Sequence, residues 1–276
     1  MKGEIERGVL YVVATPIGNM GDMTIRGKEI LESVDFICAE DTRVGGKLLM
    51  LLGIKGSLVS YYEHNKNSRH EEILARLQNG ETAAIITDAG TPCISDPGVE
   101  LVRYLKNSGV KVLPVPGASA VICALSACGI DTRRFVFEGF FEKNKSARRE
   151  RMNELKTEKR TMVFYISPHE YSTVITELYE SFGDREIALC RELTKLNEEI
   201  VLTSLEEAAK SEGKKGEYVL VVSGYNGSEH EFWSEMTIKE HYEHYASLGL
   251  QKMDACKAVA KDRGIAKNQV YKELID

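Results

Sequence analysis

From Val9 onward the chain alternates, five times over, between short apolar runs and segments whose apolar positions recur at helical spacing. The runs are Val9–Ala14, Asp35–Ala39, Ser57–Tyr61, Thr82–Thr87 and Val110–Val115. They are β-branched and almost continuously apolar, as strands covered on both faces of a parallel sheet must be. The intervening segments carry helix punctuation. Ser68 and Glu71 have capping-box spacing before Ile73, Leu74 and Leu77, and Asn79-Gly80 stops that pattern. Asp96-Pro97 places an N-cap residue and an N1 proline ahead of Val99, Leu101, Val102 and Leu105, with Gly109 as the stop. The alternation predicts a doubly wound α/β domain over residues 1–130.

The second half is mixed. Strands are predicted at Phe135–Phe137, Thr161–Ile166, Glu186–Cys190, Ile200–Thr203 and Glu217–Val222. Helical patterns fall near Ser146–Glu158, Tyr171–Phe182 and Ser204–Ser211. A second α/β or α+β domain over 131–225 follows, with its boundary near Gly129–Arg134. Residues 226–231 then read as a linker into a helical segment ending at 276. There Thr237 and Glu240 can box a helix, and Met253–Arg263, Gly264–Ala266 and Lys267–Ile275 have helix-turn-helix proportions.

Composition narrows the class. A net charge of −6 over 276 residues excludes a surface basic all round, while leaving room for a local basic patch. Six cysteines without a C-x-x-C pair suggest a reducing compartment. Met1–Gly8 has no apolar core behind it, and no run approaches the ~18 apolar residues of a membrane span, so a cytoplasmic protein is expected.

Ligands of open parallel sheets bind outside the carboxyl ends of the strands, so the five strand-end loops are where chemistry is expected. They read Thr15–Asn19, Glu40-Asp41-Thr42-Arg43, Tyr62-Glu63-His64-Asn65, Asp88–Pro92 running on to Gly98, and Pro116–Ala120. Turn and capping needs account for many of the Gly, Pro and Asp residues. They do not call for Glu-Asp-Thr-Arg or Glu-His-Asn. No G-x-G-x-x-G follows the first strand, and no P-loop or G-x-S-x-G elbow is present. His241 and His244 could share a helix face, but without a third ligand nearby they read as two solvated histidines and not a metal pair.

Five segments, LYVVATPIGN (10–19), AEDTR (39–43), SYYEHN (60–65), TDAGTPCISDPG (87–98) and PGASAVICAL (116–125), resemble the tetrapyrrole-methylase superfamily. Within it they are most similar to the branch of ribosomal RNA small-subunit methyltransferases. The likeness continues through FEGFF (137–141), RELTK (191–195), residues 216–222 and the C-terminal helices, covering nearly the whole chain. It implies a two-domain fold with S-adenosylmethionine bound between the domains. The implied reaction is methyl transfer to a cytidine ribose 2′-hydroxyl in the decoding region of 16S rRNA, by a homodimer acting on the rRNA or the 30S subunit. The implied cofactor positions are Ile17, Asp88, Gly90, Thr91, Pro92, Ile94, Ser119 and Ala120, with helix-opening amides at 117–119 for the methionine carboxylate. Asp88 serves equally as a brace for its loop. If a general base is used, Glu40, Asp41, Glu63 and His64 stand at the correct sheet edge. Arg43 would hold a phosphate or pair with Asp41 or Glu40. Departures from the family pattern occur at Tyr62, Glu142, Ile166 and Glu170, which bear on RNA contact more than on the cofactor loops.

Positive charge is local. Residues 142–160 carry eight Lys/Arg against four Glu, and residues 252–276 six against four acids. Either run suits phosphate contact; a charge run is more often a solvated helix face, and it is the family resemblance that favours RNA. Two rivals to the RNA methyltransferase remain. One is a methylase of a tetrapyrrole or other small molecule, and the other a nucleic-acid-binding regulator that uses the α/β body as a ligand sensor.

Overall fold

Strand β1 (Val9–Val13) sends Val9, Tyr11 and Val13 into one apolar cluster and Leu10 into another. Strands β2 (Phe36–Ala39) and β4 (Ala83–Ile86) divide their residues the same way, by the two-residue period of a pleated strand. Both faces are therefore core, which is why these strands read as unbroken apolar runs. A computed structural model describes residues 5–61, 66–96, 98–227, 233 and 236–274. With β3 (Leu58–Ser60) and β5 (Lys111–Val115) the strands form an all-parallel sheet in the order β3-β2-β4-β1-β5. Helices α1 (Ile25–Ser33) and α2 (Thr42–Leu52) cover one face, and α3 (Lys66–Gln78) and α4 (Val99–Asn107) the other.

Helix α5 (Ala120–Ala127) is different. Its Val121, Ala124 and Leu125 pack with Val163, Ala188, Cys190, Val219 and Val221 of a second sheet. That sheet has the order β6-β7-β10-β8-β9, from β6 (Phe135–Phe140), β7 (Thr161–Ile166), β8 (Glu186–Arg191), β9 (Glu199–Ser204) and β10 (Tyr218–Val222). Only β6 and β7 run parallel, and the remaining pairs are antiparallel. Helices α6 (Lys145–Leu155), α7 (Tyr171–Phe182) and α8 (Leu205–Ala209) cover its other face around Met162, Phe164, Ile175 and Leu220. The fold is thus the expected parallel doubly wound sheet followed by a mixed α/β half.

Residues 225–276 form a separate compact unit. Helices α9 (Ile238–Ser247), α10 (Lys252–Asp262) and α11 (Lys267–Glu273) enclose Cys256, Val259, Ala260 and Val270. The capping box of Thr237 and Glu240 is formed. No helix among the described residues is long and apolar enough to cross a membrane.

Four local expectations need correction. Ser68 lies inside α3, which starts two residues earlier at Lys66, so Ser68 cannot be its cap. Helix α4 is capped by Gly98, not by Asp96, whose side chain is engaged elsewhere; Pro97 lies outside the described residues. Strand β6 runs on to Phe140, because a bulge between Phe137 and Gly139 lets pairing with β7 continue past the glycine. His241 is not solvated. It is fully buried, stacked on Trp233 with ring centroids 5.0 Å apart, and its Nδ1 accepts a hydrogen bond from Arg263 Nε at 3.1 Å. Burial, then the Arg263 charge, lowers its pKa.

Arg148 of α6 clamps the second half. Its guanidinium donates to both Glu177 oxygens, at 2.6 and 3.1 Å, and to the Glu142 carbonyl at 2.9 Å, with little of either side chain exposed. The hydrogen bonds from Arg148 hold the Glu177 carboxyl below its ordinary 4.5. A depressed carboxylate stabilises the fold above its unfolded pKa, and the gain is lost as pH falls through the folded value. Glu177→Gln should therefore cost about 2 kcal/mol at pH 7. In urea titrations followed with pH, the gap to wild type should close below 4.5; a gap independent of pH would refute the assignment.

Candidate functional site

The connection from β1 to β2 crosses β4 in one direction, and that from β4 to β5 crosses β1 in the other. The crevice between the ends of β1 and β4 is the switch point where α/β sheets bind ligands. Two residues close it. The Thr15 amide donates to the Gly90 carbonyl at 2.8 Å and the Gly90 amide to the Thr15 carbonyl at 3.1 Å, while Thr15 Oγ1 lies 3.2 Å from the Thr87 carbonyl. Gly90 has φ +86°, so a side chain there is strained, and its Cβ would also press on Ile17 Cγ2 at 3.2 Å. Thr91 Oγ1 donates to the Ala118 carbonyl at 3.0 Å, joining the loop after β4 to the one after β5.

These loops open onto a cleft of about 400 Å³. From the first half it is lined by Ile17, Glu40, Thr87–Thr91, Ile94, Asp96, Ser119 and Ala120. The second half contributes Phe140, residues 165–168, Cys190, Glu192, Leu193, Lys195 and residues 217–219. Of the expected positions, Ile17, Glu40, Asp88, Gly90, Thr91, Ile94, Ser119 and Ala120 share this wall. Pro92 is buried and does not line it. Asp41 and Arg43 do not line it either: Asp41 caps α2 through the Arg43 amide at 2.8 Å and grips the Arg43 guanidinium. That pairing holds the Asp41 carboxyl down at about 2. Tyr62, Glu63 and His64 lie outside the described residues, as do 228–231 of the expected linker and Ile275.

The cleft concentrates carboxylates. Glu40 Oε2 lies 3.5 Å from the Thr87 hydroxyl, which also hydrogen-bonds Asp96. A hydroxyl has one proton to donate, so it cannot serve both carboxylates fully. Burial pushes both Glu40 and Asp96 upward, and their mutual proximity and Asp88 raise Glu40 further. Asp88 in turn accepts the Asp41 amide, tying the loop after β2 to the loop after β4. Lys195 is the one cation among the described lining residues, and it is held by Glu192 at 3.0 Å and Glu217 at 2.8 Å.

The four non-glycine residues with positive φ among those described are Cys93, Ser95, Glu192 and Thr194. All lie in two segments flanking the cleft, one from each half. Side chains in this region are strained and persist only where the surroundings hold them, a pattern that concentrates at working sites.

Several cleft residues were not singled out from the sequence as site residues. Asp96 was read only as a cap. Phe140, Tyr165, Glu192, Lys195 and Glu217 come from the mixed sheet, where the strand-end rule for parallel sheets gives no direction. Their only signal was membership in FEGFF, RELTK and residues 216–222, and for Tyr165 in the strand predicted at Thr161–Ile166. The basic run at 142–160 is partly internal. Arg148, Arg151 and Arg160 are engaged by Glu177, by Glu138 and Glu154, and by Glu158. Lys143, Lys145, Arg149 and Lys159 are exposed and have no ion pair among the described residues. In the C-terminal unit Arg263 is turned inward onto His241 and the Trp233 carbonyl.

Comparison with known proteins gives this geometry a family. The family described as Tetrapyrrole (Corrin/Porphyrin) Methylases matches residues 9–209. A Bacillus subtilis protein named ribosomal RNA small subunit methyltransferase I is 42% identical over 276 aligned residues, covering 98% of this chain and 94% of the relative. A protein of the same name from Escherichia coli O157:H7 is 39% identical, covering 98% and 96%. The chain belongs to the tetrapyrrole methylase family, in its ribosomal RNA small subunit methyltransferase I branch. Among solved structures, a cobalt precorrin-4 methyltransferase of cobalamin biosynthesis matches with TM-score 0.58 at 19% identity, over 80% of this chain and 98% of that one. A uroporphyrin-III-C-methyltransferase from Thermus thermophilus matches with TM-score 0.55 at 22% identity, over 80% and 96%. At such identities these two show that this tetrapyrrole methylase shares their fold. It is a methyltransferase by family.

Proposed function

We propose that this methyltransferase transfers a methyl group from S-adenosylmethionine to a cytidine ribose 2′-hydroxyl in the decoding region of 16S rRNA. On this reading it acts as a cytoplasmic homodimer. The observation that carries the proposal is the cleft itself: the family-marking loops after β1, β2, β4 and β5 converge at the switch point and face an acidic wall from the second sheet. The relatives named for small-subunit rRNA supply the substrate class.

The cleft suits the cofactor. Its volume of about 400 Å³ lies in the range of small-molecule sites, roughly 300–1,000 Å³. Ile17, Ile94, Ala120, Leu193 and Val219 offer an apolar lining for an adenine ring. Ser119 opens α5 without spending its side chain on a cap, so its hydroxyl and the first amides of the helix remain for a carboxylate. When bound, the cofactor supplies an electrophilic methyl group on a sulfonium.

Against such an electrophile, holding the hydroxyl in line contributes much of the rate, and a proton acceptor contributes the rest. Glu40 fits that acceptor role better than Asp41. It faces the cleft and its carboxyl is raised, so it takes a proton more readily near neutral pH, whereas Asp41 is committed to Arg43. Lys143, Lys145, Arg149 and Lys159, with the lysines of α10 and α11, provide sequence-independent phosphate contacts. The domain plan that goes with this reading is a cofactor-binding half over 1–130, a second half over 131–225 and a C-terminal RNA-contacting segment over 226–276.

The proposal is tested by offering labelled S-adenosylmethionine with naked 16S rRNA, 30S subunits and a tetrapyrrole precursor. Label on a cytidine ribose is the expected result, and label only on the tetrapyrrole would overturn the RNA reading. Thr91→Arg fills the cleft from a loop and leaves the core intact. Calorimetry should show cofactor binding abolished with a cooperative melting transition retained, lowered only by loss of the Thr91–Ala118 hydrogen bond; retained affinity would refute the placement. Glu40→Gln should lower kcat about 100-fold with cofactor affinity unchanged. It should also remove an acid limb of the rate profile lying above 4.5; a profile that keeps this limb would rule Glu40 out as the acceptor.

A further inference from the structure

Phe137 and Phe140 are three residues apart on β6, a spacing that points two side chains to opposite faces of a regular strand. Here both rings touch Tyr165, with centroids 5.0 and 5.1 Å away. The cause is the bulge. Phe137 pairs with Val163 and Gly139 with Phe164, so Glu138 is the extra residue, and the register shift turns Phe140 onto the Tyr165 side. Gly139 takes φ +73°, and a Cβ there would lie 2.8 Å from Ser95 Oγ, so the bulge is fitted against the loop that carries Asp96. Phe141 turns the other way and stacks on Phe164 inside the second core, at 4.7 Å and 14°. The outcome is an aromatic ring placed in the cleft wall yet 61% exposed.

An apolar ring left 61% exposed beside a cluster of carboxylates gives the fold little beyond its contact with Tyr165. What it offers is a π-face, on which any nucleobase can stack whatever its sequence context. Enzymes acting within a structured nucleic acid draw the target nucleotide out of its helix and hold its base against such side chains. We propose that Phe140, backed by Tyr165, is the shelf on which the target nucleobase of the RNA stacks while its ribose enters the cleft. This rests on the RNA reading above. Phe140 is a positioning residue: it orients the nucleotide and takes no part in proton or methyl transfer.

The test uses the full-length chain with 30S subunits lacking the modification. Methyl transfer gives KM and kcat, and calorimetry gives cofactor affinity, for wild type and for Phe140→Ala, Phe140→Leu and Phe140→Trp. Losing one stacked base should raise KM for the subunit about tenfold in the Ala and Leu variants. Trp, which keeps a π-face, should restore it, and all three should bind S-adenosylmethionine as wild type does. Leu retains an apolar side chain at an exposed position, so it separates loss of stacking from loss of packing. An unchanged KM in Phe140→Ala would overturn the shelf while leaving the RNA reading intact. So would weakened cofactor binding, which would place the adenine of the cofactor on Phe140 instead. Failure of wild type to label any RNA would overturn the reading itself, and the shelf with it.

Discussion

The packing of α5 beneath the second sheet is the constraint on which the site depends. The helix starts at the end of the parallel sheet, where Ser119 and Ala120 line the cleft, and within a turn its Val121, Ala124 and Leu125 are buried among Val163, Ala188 and Val219. The helix therefore begins at one sheet and buries its apolar face under the other. Burial of these residues brings the ends of β7, β8 and β10 opposite the switch point. The Thr15–Gly90 bridge and the Thr91–Ala118 hydrogen bond then fix the loops on the near side. A cleft assembled this way has walls set by buried side chains, with its chemistry confined to the exposed lining.

Much of the parallel half was legible in advance for a physical reason. Strands buried on both faces must be apolar without interruption, and ten or so residues of helical pattern between them can only be crossovers. The strand-end rule then pointed at Ile17, Glu40, Gly90 and Ser119. It failed where its premise failed. In the mixed sheet strand direction alternates, so no single edge collects the loops, and Phe140, Glu192 and Lys195 carried no positional signal. The caps misread at Ser68 and Asp96 show a different limit. Both residue types favour helix starts by local hydrogen bonding, but Asp96 is engaged by Thr87 across the loop. His241 read as a solvated histidine because no third metal ligand stood nearby, while only the tertiary fold supplies Trp233 and Arg263 around it.

The charge reading changed in kind. Counting residues made 142–160 a basic run, but three of its arginines are held by glutamates and one of those, Arg148, is structural. The exposed cations of the run without an ion pair among the described residues are Lys143, Lys145, Arg149 and Lys159, mostly lysine. Lysine presents a mobile point charge that suits loose phosphate contact, whereas three of the four arginines, with their planar forks, have gone to bidentate pairs within the protein.

The sign of the cleft completes the argument. Among the described lining residues, Glu40, Asp88, Asp96, Glu192 and Glu217 face a single lysine, itself neutralised by two of them. Such a wall suits a sulfonium cation and repels phosphate. Under the proposed function the RNA backbone must therefore stay outside, along the lysines, while only the ribose and base of one nucleotide enter. An uncharged aromatic face at the entrance is the kind of contact that can guide a base past that acidic wall, since stacking does not require the cleft to give up any negative charge. Repulsion of the backbone and attraction of the base would then act together, favouring an extruded nucleotide over an intact helix.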